Sequence, residues 1–92
     1  MTISIPQKMK EKIQQIDKLM LLLTEMRKQI QELQDEQAAD EAYVKLCEDY
    51  ISHKEYDEHI FKHNRISRQI EMLLRTYALI STEMSKVCLK LM

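Results

Sequence analysis

The chain has 92 residues and a mass of 11.1 kDa, which is enough for one domain. Hydrophobic residues make up 45% and charged residues 32%, with a net charge of −1, so the composition is neither that of an acidic tail nor that of a basic one. There is no glycine, no tryptophan and one proline, Pro6. Tight β-hairpins and phosphate-binding loops need glycine at positive φ, so the composition argues against sandwiches, barrels, Rossmann units and P-loops and predicts long helices.

The first predicted element is a helix over about residues 5–36. Ser4, Pro6 and Gln7 fit a capping box with proline in the first turn, where its missing N–H costs nothing. Arg27 falls on the central apolar row of this helix, where a charge needs a partner. That row has helical spacing and consists of Met9, Ile13, Ile16, Met20, Leu23 and Ile30. A flanking set widens the row and predicts packing against more than one neighbour: Leu19, Leu22, Met26 and Leu33.

The second predicted element, over about residues 38–52, is a short helix or a connection. The stretch 34–41 has no apolar period but contains no helix breaker, so an exposed continuation of the first helix is the alternative. Ser52 and Glu55 form a second capping box, which predicts a bend near Ser52. The short amphipathic piece before it consists of Tyr43, Leu46, Cys47, Tyr50 and Ile51.

The last predicted element is a helix over about residues 53–91. Projected backwards, its apolar row meets His63, His59 and Tyr56, so the row becomes polar and aromatic toward the bend. The row alternates spacings of four and three without a miss, as a heptad pattern does. Its members are Ile66, Ile70, Leu73, Tyr77, Ile80, Met84, Val87 and Leu91.

Charge is unevenly distributed along these elements. Residues 1–34 carry a balance of +2, residues 35–58 a balance of −7 and residues 59–92 a balance of +4. If the chain folds back on itself, the acidic segment lies at the bend and the basic arms lie together at the other end. The folded molecule would then be electrically polar along its length.

Two arrangements fit these elements: an antiparallel hairpin, and an almost continuous helix that buries its apolar row in a dimer. The predicted fold is all-α, a single domain over residues 1–92. It is a long antiparallel helical hairpin, with or without a short third helix at the bend, with coiled-coil-like packing. Amphipathic helices gain most of their stability from packing, so an oligomer or a partner chain is expected in either arrangement.

Cysteine usage and hydropathy predict a cytoplasmic protein without a membrane span. Cys47 and Cys88 do not make a disulfide framework and are interpreted as small buried hydrophobic residues. No secretory pattern is recognised at residues 1–7. The longest unbroken apolar run, residues 19–23, is much too short to cross a bilayer.

No catalytic residue, metal site or cofactor is predicted. His59 and His63 lie four residues apart on one helical face, with Cys47 and His53 upstream, and are the weak candidates for metal ligands. They lack the CxxC or HExxH spacing that would strengthen that interpretation. The many carboxylates around the bend lie in the least apolar part of the chain and are interpreted as a solvated acidic surface.

Four basic residues are candidates for charge-mediated docking: Arg27, Lys62, Arg65 and Arg68. The last three step by three along one side of the last helix and could meet phosphates. Nucleic-acid binding is nevertheless the less favoured interpretation, because the net charge is negative and no aromatic residues interleave with these cations.

The first predicted helix resembles the first helix of the all-helical chorismate mutases, which are similar in size. The resemblance rests on Lys10, Ile13, Ile16, Asp17, Met20, Leu23 and Arg27, about twenty residues of the chain. It implies that Lys10 and Arg27 grip the carboxylates of the substrate. Beyond Arg27 the pattern departs from the family, since Ala38 stands about where a lysine is expected.

Since the regular features serve helix packing, the sequence predicts a non-enzymatic helical interaction protein. It would act as an adaptor, a chaperone-like protein or a regulatory or inhibitory module, binding itself or an amphipathic helix of another protein. A small chorismate mutase-like enzyme and a nucleic-acid-associated regulator are the alternatives. The predicted contact residues are Met9, Ile13, Ile16, Met20, Leu23 and Ile30 in the first helix, and Ile66, Ile70, Leu73, Tyr77, Ile80, Met84, Val87 and Leu91 in the last.

Overall fold

Two long helices form an antiparallel hairpin in the computed structural model, which describes residues 5–91. Helix α1 spans Gln7–Leu46 and helix α2 spans His53–Leu91. The molecule measures 74 × 23 × 14 Å. The antiparallel order is visible in the side-chain contacts between the helices, because Arg27 contacts Tyr77 whereas Asp40, nearer the bend, contacts His59. The predicted all-α hairpin is therefore confirmed.

Pro6 marks the start of helix α1. Pro6 is the residue before the first helical turn, and its carbonyl oxygen accepts hydrogen bonds from the amides of Met9 and Lys10 at 3.0 and 3.1 Å. Proline has no amide hydrogen to lose at this position. The predicted contribution of Ser4 to a capping box lies outside the described residues.

Helix α1 continues ten residues beyond its predicted end at residue 36, so the prediction of a separate element over 38–52 is corrected to a continuous helix followed by a turn. No third helix is present within residues 5–91. Two features explain the continuation. The stretch contains good helix formers such as Ala38 and Ala39 and no breaker. Its inward-facing polar residues, Gln37 and Asp40, also find partners on α2.

The turn between the helices uses no glycine, and no residue of the described chain has positive φ. The Cys47 carbonyl oxygen accepts hydrogen bonds from the amides of Tyr50 and Ile51 at 2.8 and 3.0 Å. Ser52 then caps α2, since its Oγ accepts a hydrogen bond from the Glu55 amide at 3.2 Å. The predicted bend at Ser52 is confirmed, and with it the forward half of the capping box.

A narrow core lies between the helices. Within the described chain, its buried members are Leu23, Met26, Ile30, Ile66 and Val87. The apolar row of α2 faces α1 as its spacing indicates, with half-buried residues between the two buried ones: Ile70, Leu73, Tyr77, Ile80 and Met84. The side chain of Leu91 lies outside the part of the chain that the structure describes.

The row of α1 that faces α2 differs from the predicted central row in every second member. Ile16, Leu23 and Ile30 face α2 in both, but Leu19 and Met26 are the inward residues in place of Met20 and Arg27. The observed row has spacings of three and four and is apolar without interruption from Ile16 to Leu33. A row that included Arg27 would bury its guanidinium, which is unfavourable without a buried partner.

Candidate functional site

A polar cluster occupies the helix interface near the bend, where the apolar rows end. The Asp40 side chain is only 10% exposed, and its Oδ1 accepts a hydrogen bond from His59 Nδ1 at 2.8 Å. Lys62 Nζ lies 3.8 Å from Asp40 Oδ1 and 3.7 Å from Glu36 Oε1. The Tyr43 ring lies beside the His59 ring, with centroids 5.4 Å apart. Asp40 thus has one hydrogen bond and one ion-pair contact with α2.

The second histidine of the cluster is held from α1 as well. His63 Nδ1 lies 3.3 Å from Glu41 Oε1, and its Nε2 lies 3.5 Å from Gln37 Nε2. Gln37 Nε2 donates a hydrogen bond to Ser67 Oγ at 2.7 Å. No buried side-chain nitrogen or oxygen in the described chain lacks a partner. Because a shift of the helices would break all these pairs, the cluster fixes the register of the hairpin.

The cluster borders an open cleft of about 280 Å³, whose walls carry acidic and imidazole side chains. Its lining consists of Asp40, Glu41, Val44, Lys45, Glu48, Tyr56, His59 and His63. Each of the two histidines already contacts a carboxylate. No group of three or more His, Cys, Asp or Glu residues within 5–91 is placed to hold a metal ion. Ser67 Oγ accepts a hydrogen bond from Gln37, and within residues 5–91 no hydrogen bond joins Ser67 to either histidine of the cluster.

Arg27 lies at the edge of the helix interface and is exposed. Its Nη2 donates a hydrogen bond to the Tyr77 hydroxyl at 2.6 Å, and its guanidinium carbon lies 5.8 Å from the Tyr77 ring centroid. The hydrogen bond to Tyr77 raises the pKa of Arg27 above its usual value. The guanidinium therefore remains charged at every pH at which proteins fold.

The predicted basic residues of α2 do not form one free surface. Lys62 is engaged by Glu36 and Asp40, so it belongs to the polar cluster. Arg65 and Arg68 are exposed and share a cleft of about 220 Å³ with Phe61, whose side chain is 73% exposed. Phe61 is not among the residues predicted from the sequence. It lies four positions before Arg65 and seven before Arg68 and so shares their side of the helix.

Many large hydrophobic residues remain exposed on the hairpin. Five hydrophobic residues are buried in the described chain, whereas sixteen large ones are exposed. Three predicted contact residues of α1 belong to the exposed group: Met9, Ile13 and Met20. Ile13 and Met20 each follow a residue of the inward row by one position, and Met9 lies beside the last described turn of α2. Helix α2 therefore leaves them exposed.

Four of the exposed hydrophobic residues share one side of the hairpin, here named the apolar face: Ile13 and Met20 of α1, and Ile60 and Leu74 of α2. Each follows an inward-facing residue by one position, which places it on the same flank of its helix. The contacts of Glu41 with His63 and of Gln37 with Ser67 show that these flanks of the two helices lie on one side of the molecule.

The opposite side of the hairpin is more polar. It contains the ion pair between Glu36 and Lys62 and a shallow cleft of about 500 Å³, which is lined by Gln29, Glu32, Leu33, Glu36, Gln69, Met72 and Leu73. Of the 19 positions that flank the inward rows of residues 12–44 and 59–87 on each side, five are charged on the apolar face and ten on the opposite side. The opposite side also exposes four large hydrophobic residues: Leu22, Tyr43, Met72 and Leu79. The apolar face is therefore the side that desolvates at the lower cost.

No helix among the described residues combines the length and the apolar character needed to cross a membrane. Comparisons of this chain with protein-family models, with curated proteins and with solved structures gave no match.

Proposed function

We propose that this chain is a non-enzymatic helical interaction protein that packs the exposed hydrophobic side chains of its hairpin against a helix of another molecule. The observation that carries the proposal is the amount of uncovered surface. The chain exposes 7863 Å², whereas a compact protein of the same mass exposes about 5,700 Å². A two-helix hairpin can bury only the inward face of each helix, so much of its apolar surface remains exposed and available to a partner.

The features of the hairpin divide between stability and binding. The row of α2 from Ile66 to Val87 and the polar cluster around Asp40 hold the two helices together, so they support the scaffold. Ile13 and Met20 lie outside the buried core, with 41% and 54% of their surface exposed, and can contact a partner. A rigid rod with an apolar side suits the role of an adaptor, a chaperone-like protein or a regulatory module in the cytoplasm.

A pair of double variants tests this proposal. Ile13→Glu with Met20→Glu places two charges on the apolar face, whereas Leu21→Glu with Leu89→Glu adds the same charges on exposed, outward-facing positions. Circular dichroism checks that both variants keep their helices. We expect only the first variant to lose its association, measured as mass in solution and as co-purification from cells. The proposal is wrong if the wild type and both variants are all monomeric and co-purify with the same proteins.

Binding of single-stranded nucleic acid is a second candidate function, which Phe61 favours. An exposed aromatic ring beside Arg65 and Arg68 can stack on a base while the arginines meet phosphates. Phe61→Ala should then weaken binding about tenfold, whereas Leu79→Ala, a similarly exposed residue of α2, should not. Fluorescence anisotropy with labelled single strands at low salt measures this. An absence of binding by the wild type at low salt removes this candidate.

A further inference from the structure

We propose that the partner of the apolar face is a second copy of this chain, packed antiparallel, so that the bend of one hairpin lies against the chain termini of the other. This inference rests on the proposed function and names its partner. It is drawn from the charge of the two ends of the hairpin, from the surface that the hairpin leaves uncovered, and from the placement of hydrophobic residues along the apolar face.

The two ends of the hairpin carry opposite charge. The bend end, residues 37–62, has three Lys or Arg against seven Asp or Glu, a balance of −4. The terminal end, residues 7–18 with residues 82–91, has six Lys against three acidic residues, a balance of +3. The ends lie far apart in a molecule 74 Å long. Two parallel copies would therefore bring like charges together, whereas two antiparallel copies pair each acidic bend with a basic end.

The uncovered surface is large enough for a stable dimer. The chain exposes about 2,200 Å² more than a compact protein of its mass, given its accessible area of 7863 Å². A standard protein interface buries about 800 Å² on each partner. Covering one side of each hairpin therefore supplies enough area, and two hairpins packed face to face form a four-helix arrangement with a shared core.

The reversed arrangement places a hydrophobic residue of the apolar face at the two-fold axis. Ile13 lies near the terminal end and Ile60 near the bend, while Leu74 lies close to the middle of the hairpin. A two-fold axis across the middle of the face packs α1 against α1 and α2 against α2 of the second copy, and it places Leu74 opposite Leu74.

The two natural cysteines provide a test of orientation. Cys47 lies at the bend, whereas Cys88 lies near the terminal end on the flank that bears the apolar face. Within one hairpin they are more than about 50 Å apart, at 1.5 Å of rise per residue. In the antiparallel dimer Cys47 of each copy lies close to Cys88 of the other. In a parallel dimer, each cysteine would lie close to its own counterpart.

The experiment uses two single-cysteine variants, Cys47→Ser and Cys88→Ser, with a short bismaleimide cross-linker. We expect a covalent dimer only when the two variants are mixed, together with a dimeric mass for the uncross-linked wild type by sedimentation equilibrium. Cross-linking of each variant alone, with none gained on mixing, would overturn the antiparallel arrangement. Added sodium chloride should weaken the dimer, because it screens the charges of the ends.

Point variants test the face itself. Met20→Glu should raise the dimer dissociation constant about 30-fold or more, because it places a charge in the contact. The adjacent Leu21→Glu, at an exposed position on the outward side of α1, should change it little. Equal effects of the two variants would overturn the assignment of the face.

A wild type that stays monomeric at high concentration would overturn the dimer but not the proposed function. The proposed function would still hold if such a monomer co-purified with another protein through Ile13 and Met20. The two inferences therefore fail in distinguishable ways.

Discussion

Replacing Ile66 by alanine probes the helix interface at its most deeply buried point. Ile66 is 1% exposed, the lowest value in the described chain. The change removes three carbon groups, worth about 0.8 kcal/mol each on burial, or about 2.4 kcal/mol. Ile→Ala changes in cores cost about 2–5 kcal/mol. The core here is a single narrow layer that can partly close over the gap, so we expect a loss of about 2.5–3 kcal/mol.

The loss is measured by urea unfolding followed by circular dichroism, at two protein concentrations so that association can be separated from folding. The milder Ile66→Val should cost about 1 kcal/mol, which gives a graded series at one site. Leu79→Ala, at an exposed position of the same helix, should change stability by less than about 0.5 kcal/mol. If Ile66→Ala and Leu79→Ala cost the same at both concentrations, the assignment of Ile66 to the core is refuted.

Four further outcomes are expected from the contacts of the hairpin. Asp40→Ala removes the acceptor of His59 and should cost about 1–2 kcal/mol in urea unfolding, clearly more than the exposed Glu48→Ala. Ser52→Ala should cost about 1 kcal/mol and Ser52→Asp close to nothing, because aspartate also caps a helix; equal losses would contradict the capping role. Tyr77→Phe removes the hydroxyl that Arg27 contacts at the exposed edge, and the urea midpoint should stay unchanged within error. The absorbance of chorismate should stay constant when it is incubated with the purified protein, because we propose a non-enzymatic function. A loss of absorbance would instead support the chorismate mutase-like alternative.

The candidate surfaces were only partly predictable from the sequence. The histidines of the bend were expected to continue the row of α2, and they do. Their partners Asp40, Glu41 and Gln37 were not identified, because they lie in a stretch without apolar period and become neighbours only when α1 passes beside α2. Phe61 was overlooked although its spacing from the arginines of α2 could have indicated it.

The sequence by itself determined the helical class, the bend at Ser52 and the inward face of α2. A chain without glycine is poorly suited to the tight turns of β-structure, so its composition favours helices. The heptad row from Ile66 to Val87 gives α2 a single apolar side, which must face inward.

Only the tertiary structure decided which side of α1 turns inward and where α1 ends. Helix α1 bears apolar residues on several adjacent rows, so periodicity does not choose between Met20 and Met26. Packing against α2 decides between them, because it buries Met26 while the guanidinium of Arg27 stays at the solvent-exposed edge of the interface beside Tyr77. The continuation of α1 past residue 36 is decided in the same way, because Asp40 can occupy the interface only where His59 donates a hydrogen bond to it and Lys62 lies beside it.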